Sequence, residues 1–470
     1  MRQERKPGSD AGRGTSDRAS ATPAKLSIGE RRWLAVLRLL VEVRDDEVAA
    51  LLRAFLFVFC VLAGNYVIRP IRDEMGITGG TRYLPGLFAT TFGVMIVAWP
   101  VLSTRFSRTG SGQVLAPLCR ILQLILIAFF IAFRVSPPRD ATWVARLFFV
   151  WASIANLLLV SVAWGSLAGR FRSGQAVRLF GFISAGGTLG AIVGSALAGL
   201  LARTVGPVLL LPIAVLFFEL GLFAARPLFS PGTPVSKVPP VDTPGPGGTW
   251  AASARARFDP YVAGLGLWTL LFTMSSAFVY MEQARIVDAA IRDPAARTAL
   301  FAGIDLMVNL LGLTMQVLLT GRVLGLLGAG GSAAVLPLVT LAGVILLTMR
   351  PTVATVQWFQ VVRRAVDYAI ARPSREVFYT VLGRGALLRT KGMIDTAVYR
   401  AGDAAGASAY GLLAGIHGMA VLAPLAVVPL SLAWIAVSLA LGRALRRRTL
   451  PADEWIGPAE ARSCPVGGRT

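Results

Sequence analysis

The chain is short of acid, lysine, histidine and cysteine, and each shortage removes a class of answer. Only 15% of its 470 residues are charged, against about 25% in an ordinary soluble domain. Its one histidine, His417, stands in an apolar run. Its three cysteines, at 60, 119 and 464, are too scattered for a disulfide frame or a zinc site. No metal and no cofactor is therefore expected. No Gly-rich loop ends in Gly-Lys-Ser/Thr, which excludes a nucleotide-hydrolysing motor of that type. His-Glu-x-x-His and Gly-x-Ser-x-Gly are also missing, so no enzyme is expected. Residues 1–30 have no apolar centre, and no cleavable signal is read there.

What is present is apolar. Hydrophobic residues make up 55% of the chain, and the mean hydropathy is +0.64. Runs of about 20 apolar residues recur, each long enough to cross a bilayer as a helix. The fold class is an all-α polytopic membrane protein. Spans are expected near 50–70, 83–103, 113–134, 142–168, 178–201 and 206–225. Six more are expected near 260–284, 298–320, 330–349, 352–372, 394–418 and 421–443.

Residues 226–258 hold seven prolines and no apolar run, which reads as a linker between two six-helix halves, 48–225 and 259–445. Residues 1–47 and 446–470 read as tails. Within the first tail, Ser27 can cap a helix carrying Trp33, Leu37 and Leu40 with several arginines. Two readings of it stay open, an interfacial helix on an anionic leaflet or the start of the first span.

The net charge of +22 comes almost wholly from arginine, lysine standing only at 6, 25, 237 and 391. The basic residues gather in tails and alternate loops without a basic-aromatic face. This matches the positive-inside pattern and not a nucleic-acid polymer as partner. Both termini are expected in the cytoplasm, with the chain in the inner membrane of a bacterium and the lipid bilayer as its solvent.

Charges inside the spans are the functional candidates, because a fixed charge in lipid is costly unless it faces a wet cavity or a counter-charge. Arg69 and Arg72 share a helix face at the end of the first apolar run and are followed by Asp73 and Glu74. Span 10 carries Arg363, Arg364 and Asp367, then Arg372, and Arg363 and Asp367 at i, i+4 can pair. Span 11 carries Asp395, Tyr399, Arg400 and Asp403. Span 8 presents Asp305 and Asn309 on one face, and span 7 ends in Glu282 and Arg285. Arg120 and Glu219 look isolated, and Glu219 needs a partner or a proton. Guanidinium forks suit phosphate or carboxylate oxygens and stay charged at any relevant pH. Arg69, Arg72, Arg363, Arg400 and Asn309 are therefore the expected substrate contacts. Asp73, Asp305, Asp367, Asp403 and Glu282 are the expected charge partners or gates.

An offset of 217 residues carries Thr104-Arg105 onto Gly321-Arg322 and Arg146 onto Arg363. Two parallel homologous halves of six helices describe the major facilitator architecture. Leu102-Ser103-Thr104-Arg105-Phe106-Ser107-Arg108 resembles that superfamily's loop motif, with Thr104 and Ser107 replacing its usual Asp and Gly. Gly186, Gly190 and Gly194 make a small-residue face on span 5, which lets helix backbones approach closely. Gly402/Gly406 and Gly411/Gly415 repeat it on span 11.

The stretch Asn65-Tyr66-Val67-Ile68-Arg69 with Arg72-Asp73 resembles the end of helix 1 in the ATP/ADP translocase family, where a basic residue at the place of Arg72 is implicated in binding nucleotide phosphates. Ala163-Trp164-Gly165-Ser166 is similar to that family's helix 4 motif, with Val162 where a Glu is usual. Residues 178–187, 371–376 and 394–403 look like its free-living bacterial relatives. The resemblance implies an antiporter of ATP, ADP or related phosphorylated anions working by alternating access. The alternative is a proton-coupled facilitator of another small molecule, with Glu219, Asp305 or Asp403 carrying the proton.

Overall fold

The computed structural model describes residues 41–109, 111–171, 173–229, 259–382, 384–416 and 423–449. The segment from Ser27 to Leu40, most of the linker, His417, Cys464 and the tail beyond residue 449 lie outside them.

Twelve helices follow one another, with no strand among the described residues. The first six are α1 (Val48–Thr78), α2 (Leu84–Thr109), α3 (Ser111–Val135), α4 (Pro138–Arg170), α5 (Ser173–Val205) and α6 (Leu210–Ala225). The next three are α7 (Pro260–Ala290), α8 (Pro294–Leu318) and α9 (Thr320–Met349). Two composite helices come next. α10 joins Val353–Val366, a π turn Asp367–Ala371 and Arg372–Tyr379. α11 joins Arg384–Met393, a π turn Ile394–Val398 and Tyr399–Gly415. The last helix is α12 (Val427–Thr449).

Nine of the twelve are, among the described residues, long and apolar enough to cross a membrane as they stand. The other three are α2, α10 and α11. In lipid every backbone polar group must be satisfied within the chain, which a helix does by itself. Starts are fixed by local chemistry. Asp259 accepts from the Tyr261 N–H and precedes Pro260, and Asp293 caps the N–H groups of Ala295 and Ala296 before Pro294.

Several boundaries differ from the hydropathy reading. α1 runs through Pro70 and past Arg69, Arg72, Asp73 and Glu74 to Thr78. The charges face the bundle interior, Arg69 paired with Asp305 and Arg72 with Asp73, and Glu74 is buried, so the helix does not stop where the apolar run stops. α9 begins at Thr320, ahead of the expected 330. A short helical piece comes first, and Gly328, at φ +64°, then turns the chain into the spanning part.

In the first half α1 packs on α4, α5 and α6. In the second half α7 packs on α11 and α12, and α9 on α12. The glycine face on α5 does what its spacing predicts. A Cβ at Gly190 would lie 2.2 Å from the Phe59 carbonyl oxygen, and one at Gly194 2.3 Å from that of Ala63. Only backbone without side chains fits there.

The halves meet along α5–α8, α2–α11 and α1–α8. At the end holding the α1–α2 connection, Ile77, Leu84 and Leu87 join one apolar cluster with Phe278, Val279 and Tyr410 of the other half. The Thr81 hydroxyl donates to Asp288 Oδ2 at 3.4 Å across the same seam.

Candidate functional site

Beneath that apolar seal lies a cavity of about 320 Å³ lined by α1, α2 and α4 of one half and α7, α10 and α11 of the other. Arg69, Arg72, Arg363, Arg364, Arg372 and Arg400 all line it, with Asp73, Asp367 and Asp403.

The α1 charges reach across the seam. Arg69 Nε lies 3.6 Å from Asp305 Oδ2 on α8, while Arg364 Nη2 on α10 donates to Asp305 Oδ1 at 2.6 Å. Asp305 is 1% exposed and so sits behind the cavity wall as a shared counter-charge. Arg72 grips Asp73 through Nε at 3.0 Å and Nη2 at 2.5 Å. The Tyr280 hydroxyl on α7 donates to the same oxygen at 3.1 Å.

On α10 the π turn changes the pairing. Arg363 does not take Asp367, the partner expected four residues on. It donates instead to the Thr340 hydroxyl at 3.2 Å and to the Ser276 hydroxyl at 2.6 Å. Asp367 accepts from Arg372 Nε, five residues on, at 3.1 Å. A π turn closes i to i+5 hydrogen bonds, and residues five apart come together there. The Tyr368 carbonyl at the turn accepts from Gln316, and the Ala369 carbonyl from Thr320 at 2.6 Å.

Most of these guanidiniums lie over an aromatic ring. The carbon-to-centroid distances are 5.6 Å for Arg69 over Tyr66, 5.6 Å for Arg72 over Phe149 and 5.9 Å for Arg363 over Phe272. They are 4.2 Å for Arg372 over Tyr368 and 5.7 Å for Arg400 over Tyr399. Flat rings hold the guanidinium planes and leave their edge N–H groups available. Gln360 and Gln283 hydrogen-bond to each other on the wall. Arg400 Nη1 donates to Asp403 at 3.3 Å.

The charge does not balance. Six lining arginines face three lining carboxylates and the buried Asp305. Arg363, 5% exposed, is held by hydroxyls. A buried charge without a counter-charge is costly, so the cavity is electrostatically incomplete and suited to an anion.

A second cavity, of about 270 Å³, lies between α1, α4, α5, α8 and α10 and shares Tyr368 and Arg372 with the first. Asn309 lines this one and is absent from the charged cavity, and its amide donates to the Asp305 carbonyl at 2.8 Å. Glu282 lines neither. It is buried beside the seam, accepting from Arg285 Nε at 2.9 Å and from the Tyr410 hydroxyl at 2.7 Å. Arg120 and Glu219 are not isolated. They form a two-pronged pair between α3 and α6, with Gln123 donating to the same carboxylate at 3.1 Å. Arg364, Arg372, Tyr280 and Tyr368 belong to the site although sequence reasoning assigned them no role. Arg364 and Arg372 were visible as charges, but nothing in the spacing announces the π turn.

At the other face of the bundle, clear of the spans, Glu47 and Asp259 precede the first helix of each half. Burial pushes the Glu47 carboxyl up. Hydrogen bonds from Gln175, the Arg44 N–H and Arg178 outweigh it and hold it below its ordinary value. The Arg448 hydrogen bond holds Asp259 below its ordinary value against a smaller opposing effect of burial.

No protein-family model matches the sequence, and no curated protein matches it. Solved structures do share its fold. A mutant of the nucleoside transporter NupG superposes with a TM-score of 0.56 at 16% identity, covering 86% of this chain and 100% of that one. A bacterial homologue of the human lysosomal transporter Spinster, inward-facing and unoccupied, gives 0.55 at 14% identity over 87% of this chain and 100% of that one. A bacterial homologue of the iron transporter ferroportin, inward-facing, gives 0.56 at 14% identity over 85% and 98%. The described residues, a bundle of twelve helices, thus share the fold of these transporters.

Proposed function

We propose that this chain is a secondary transporter that exchanges an anionic, phosphorylated and nucleotide-like substrate by alternating access. The observation that carries the reading is the surplus of guanidinium charge lining the cavity at the seam between the halves, six arginines against three lining carboxylates and Asp305. Phosphate oxygens complete that charge. An arriving anion competes with Asp73, Asp305, Asp367 and Asp403 for Arg69, Arg72, Arg364, Arg372 and Arg400. Two of the links it disturbs, Arg69–Asp305 and Tyr280–Asp73, join one half to the other. Substrate binding therefore changes the free energy of the contacts that hold the halves together, and differential affinity of that kind shifts a two-state carrier. An empty carrier kept closed by its own ion pairs reorients slowly, which favours exchange over net flux. ATP and ADP are the cargo suggested by the helix 1 resemblance, in a bacterial inner membrane with both termini cytoplasmic.

The test is uptake of labelled ADP into proteoliposomes loaded with or without unlabelled nucleotide. Uptake is expected only with nucleotide inside, and loss of about 100-fold for Arg72→Gln, the size of removing a strong charge-assisted contact. Uptake indifferent to internal nucleotide would falsify exchange.

A second reading, proton-coupled transport of another small molecule, has one observation in its favour. Glu74 is fully buried on α1. One oxygen accepts from Thr78 at 2.5 Å, and Oε2 has no hydrogen-bond partner among the described residues. Transport driven by a pH gradient and lost in Glu74→Gln would favour it.

A further inference from the structure

The two cavities share a wall but differ in chemistry. The first is lined by six arginines. The second has one, Arg372, which belongs to the common wall. Its other lining groups include the rings of Tyr66, Trp164 and Tyr368 and the side-chain amides of Asn309 and Gln316. Three rings and two amides with almost no charge are the surroundings of a flat, uncharged group that stacks and accepts or donates hydrogen bonds.

Position points the same way. Tyr66 and Arg69 lie one turn apart on α1, and Arg69 stacks against Tyr66 at 5.6 Å. Tyr368 and Arg372 stack at 4.2 Å on the π turn. Each pair thus sets an arginine of the charged cavity beside a ring of the second. Ligand pockets typically enclose about 300 to 1,000 Å³. The charged cavity alone, at about 320 Å³, lies at the bottom of that range.

We propose that the second cavity is the subsite for the planar heterocyclic end of the substrate, with Trp164, Tyr66 and Tyr368 as its stacking surfaces and Asn309 and Gln316 as its hydrogen-bonding groups. This rests on the anion reading of the first cavity and adds to it. The phosphates sit among the arginines, the ring sits across the Tyr368–Arg372 wall, and recognition of the ring is separate from recognition of charge.

The test is equilibrium binding of ADP and of inorganic pyrophosphate to the purified full chain and to Trp164→Ala and Trp164→Phe. Loss of one stacking face is expected to weaken ADP about tenfold in Trp164→Ala, with pyrophosphate unchanged and Trp164→Phe recovering most of the loss. A parent protein that binds pyrophosphate as tightly as ADP overturns the ring subsite and leaves the anion site standing. A parent that binds neither overturns the anion reading itself, and the ring subsite with it. Loss of both ligands together in Trp164→Ala, or of neither, overturns the assignment of Trp164. Thr188→Cys in a Cys464→Ser background gives a second measurement at the same cavity. ADP is expected to protect this thiol from a charged thiol reagent and pyrophosphate is not. Equal protection by both overturns the proposal.

Discussion

The two halves solve one packing problem alike and one charge problem differently. In the first half α5 lays Gly186, Gly190 and Gly194 on the backbone of α1. In the second α11 lays Gly402 and Gly406 on α7. These are the fifth helix of each group of six. In lipid, where apolar burial does not distinguish protein from solvent, close backbone approach supplies the packing. The charges part company. Arg69, Arg72 and Asp73 sit on an α1 that stays α-helical through them, with Pro70 between the two arginines leaving one backbone hydrogen bond unmade. Arg363, Arg364, Asp367, Arg372, Arg400 and Asp403 sit on or near the π turns of α10 and α11. The first half presents charge from a helix without a π turn. The second presents it from helices with an extra residue in a turn, and on α10 the Tyr368 and Ala369 carbonyls are taken up by the side chains of Gln316 and Thr320.

The sharpest way to break this comparison is at Asp305, which serves an arginine from each half. Asp305→Asn leaves Arg69 and Arg364 without their shared counter-charge and is expected to cost about 3–5 kcal/mol, the size of a broken buried pair. The loss is read as a lowered thermal midpoint in detergent. Pyrophosphate is expected to raise that midpoint more in the variant than in the parent, because the anion replaces the missing carboxylate. Asp73→Asn, whose arginine partner is 19% exposed and lies next in sequence, is expected to cost less. Equal losses at the two positions would mean that Asp305 is not the hinge of charge between the halves.

The glycine seams come next in size. A Cβ at Gly190 meets a carbonyl oxygen that cannot move without moving α1. One at Gly402 meets the Thr273 hydroxyl at 1.9 Å, which can rotate away. Overpacking costs typically about 1–3 kcal/mol. Gly190→Ala is expected at the upper end and Gly402→Ala at the lower, by the same thermal measurement. The reverse order would make the second half the less yielding of the two at its glycine seam.

Much of this was legible in the residues. The spans, the glycine face and the arginines of α1 stand out because hydropathy, four-residue spacing and intramembrane charge are local signals. What stayed hidden was non-local. The π turn on α10 inserts a residue without a mark in composition, so Asp367 was matched to Arg363 although it takes Arg372. Tyr280 and Tyr368 look in sequence like any aromatic residue of a span, and only the fold turns them to the cavity. Asn309 does share a face with Asp305, but four residues move it about 6 Å along the axis, past the wall and into the second cavity. Glu282 pairs with Tyr410, from α11, a partner more than a hundred residues away that no spacing could suggest.

The smallest expected effect compares the entrances of the two halves. Glu47 is buried and bonded to Gln175 and Arg178 of α5 and to the N–H of Arg44. Asp259 is more open and meets Arg448 at the end of α12. Both carboxyls are held below their ordinary values when folded. Each therefore adds stability that is fully present above its unfolded value, about 4.3 for Glu and about 3.9 for Asp. That stability is lost as pH falls through the lower folded value. At neutral pH Glu47→Gln is expected to cost about 1–3 kcal/mol, as for hydrogen bonds to a buried charge, and Asp259→Asn about 0.2–1 kcal/mol, as for a screened pair. Thermal midpoints of parent and variants should converge as the pH is taken below about 4. A Glu47→Gln penalty that persists undiminished in acid would assign its effect to packing between α1 and α5. The first half would then be held at its entrance by shape, as it is along its glycine seam, while the second is held there by charge.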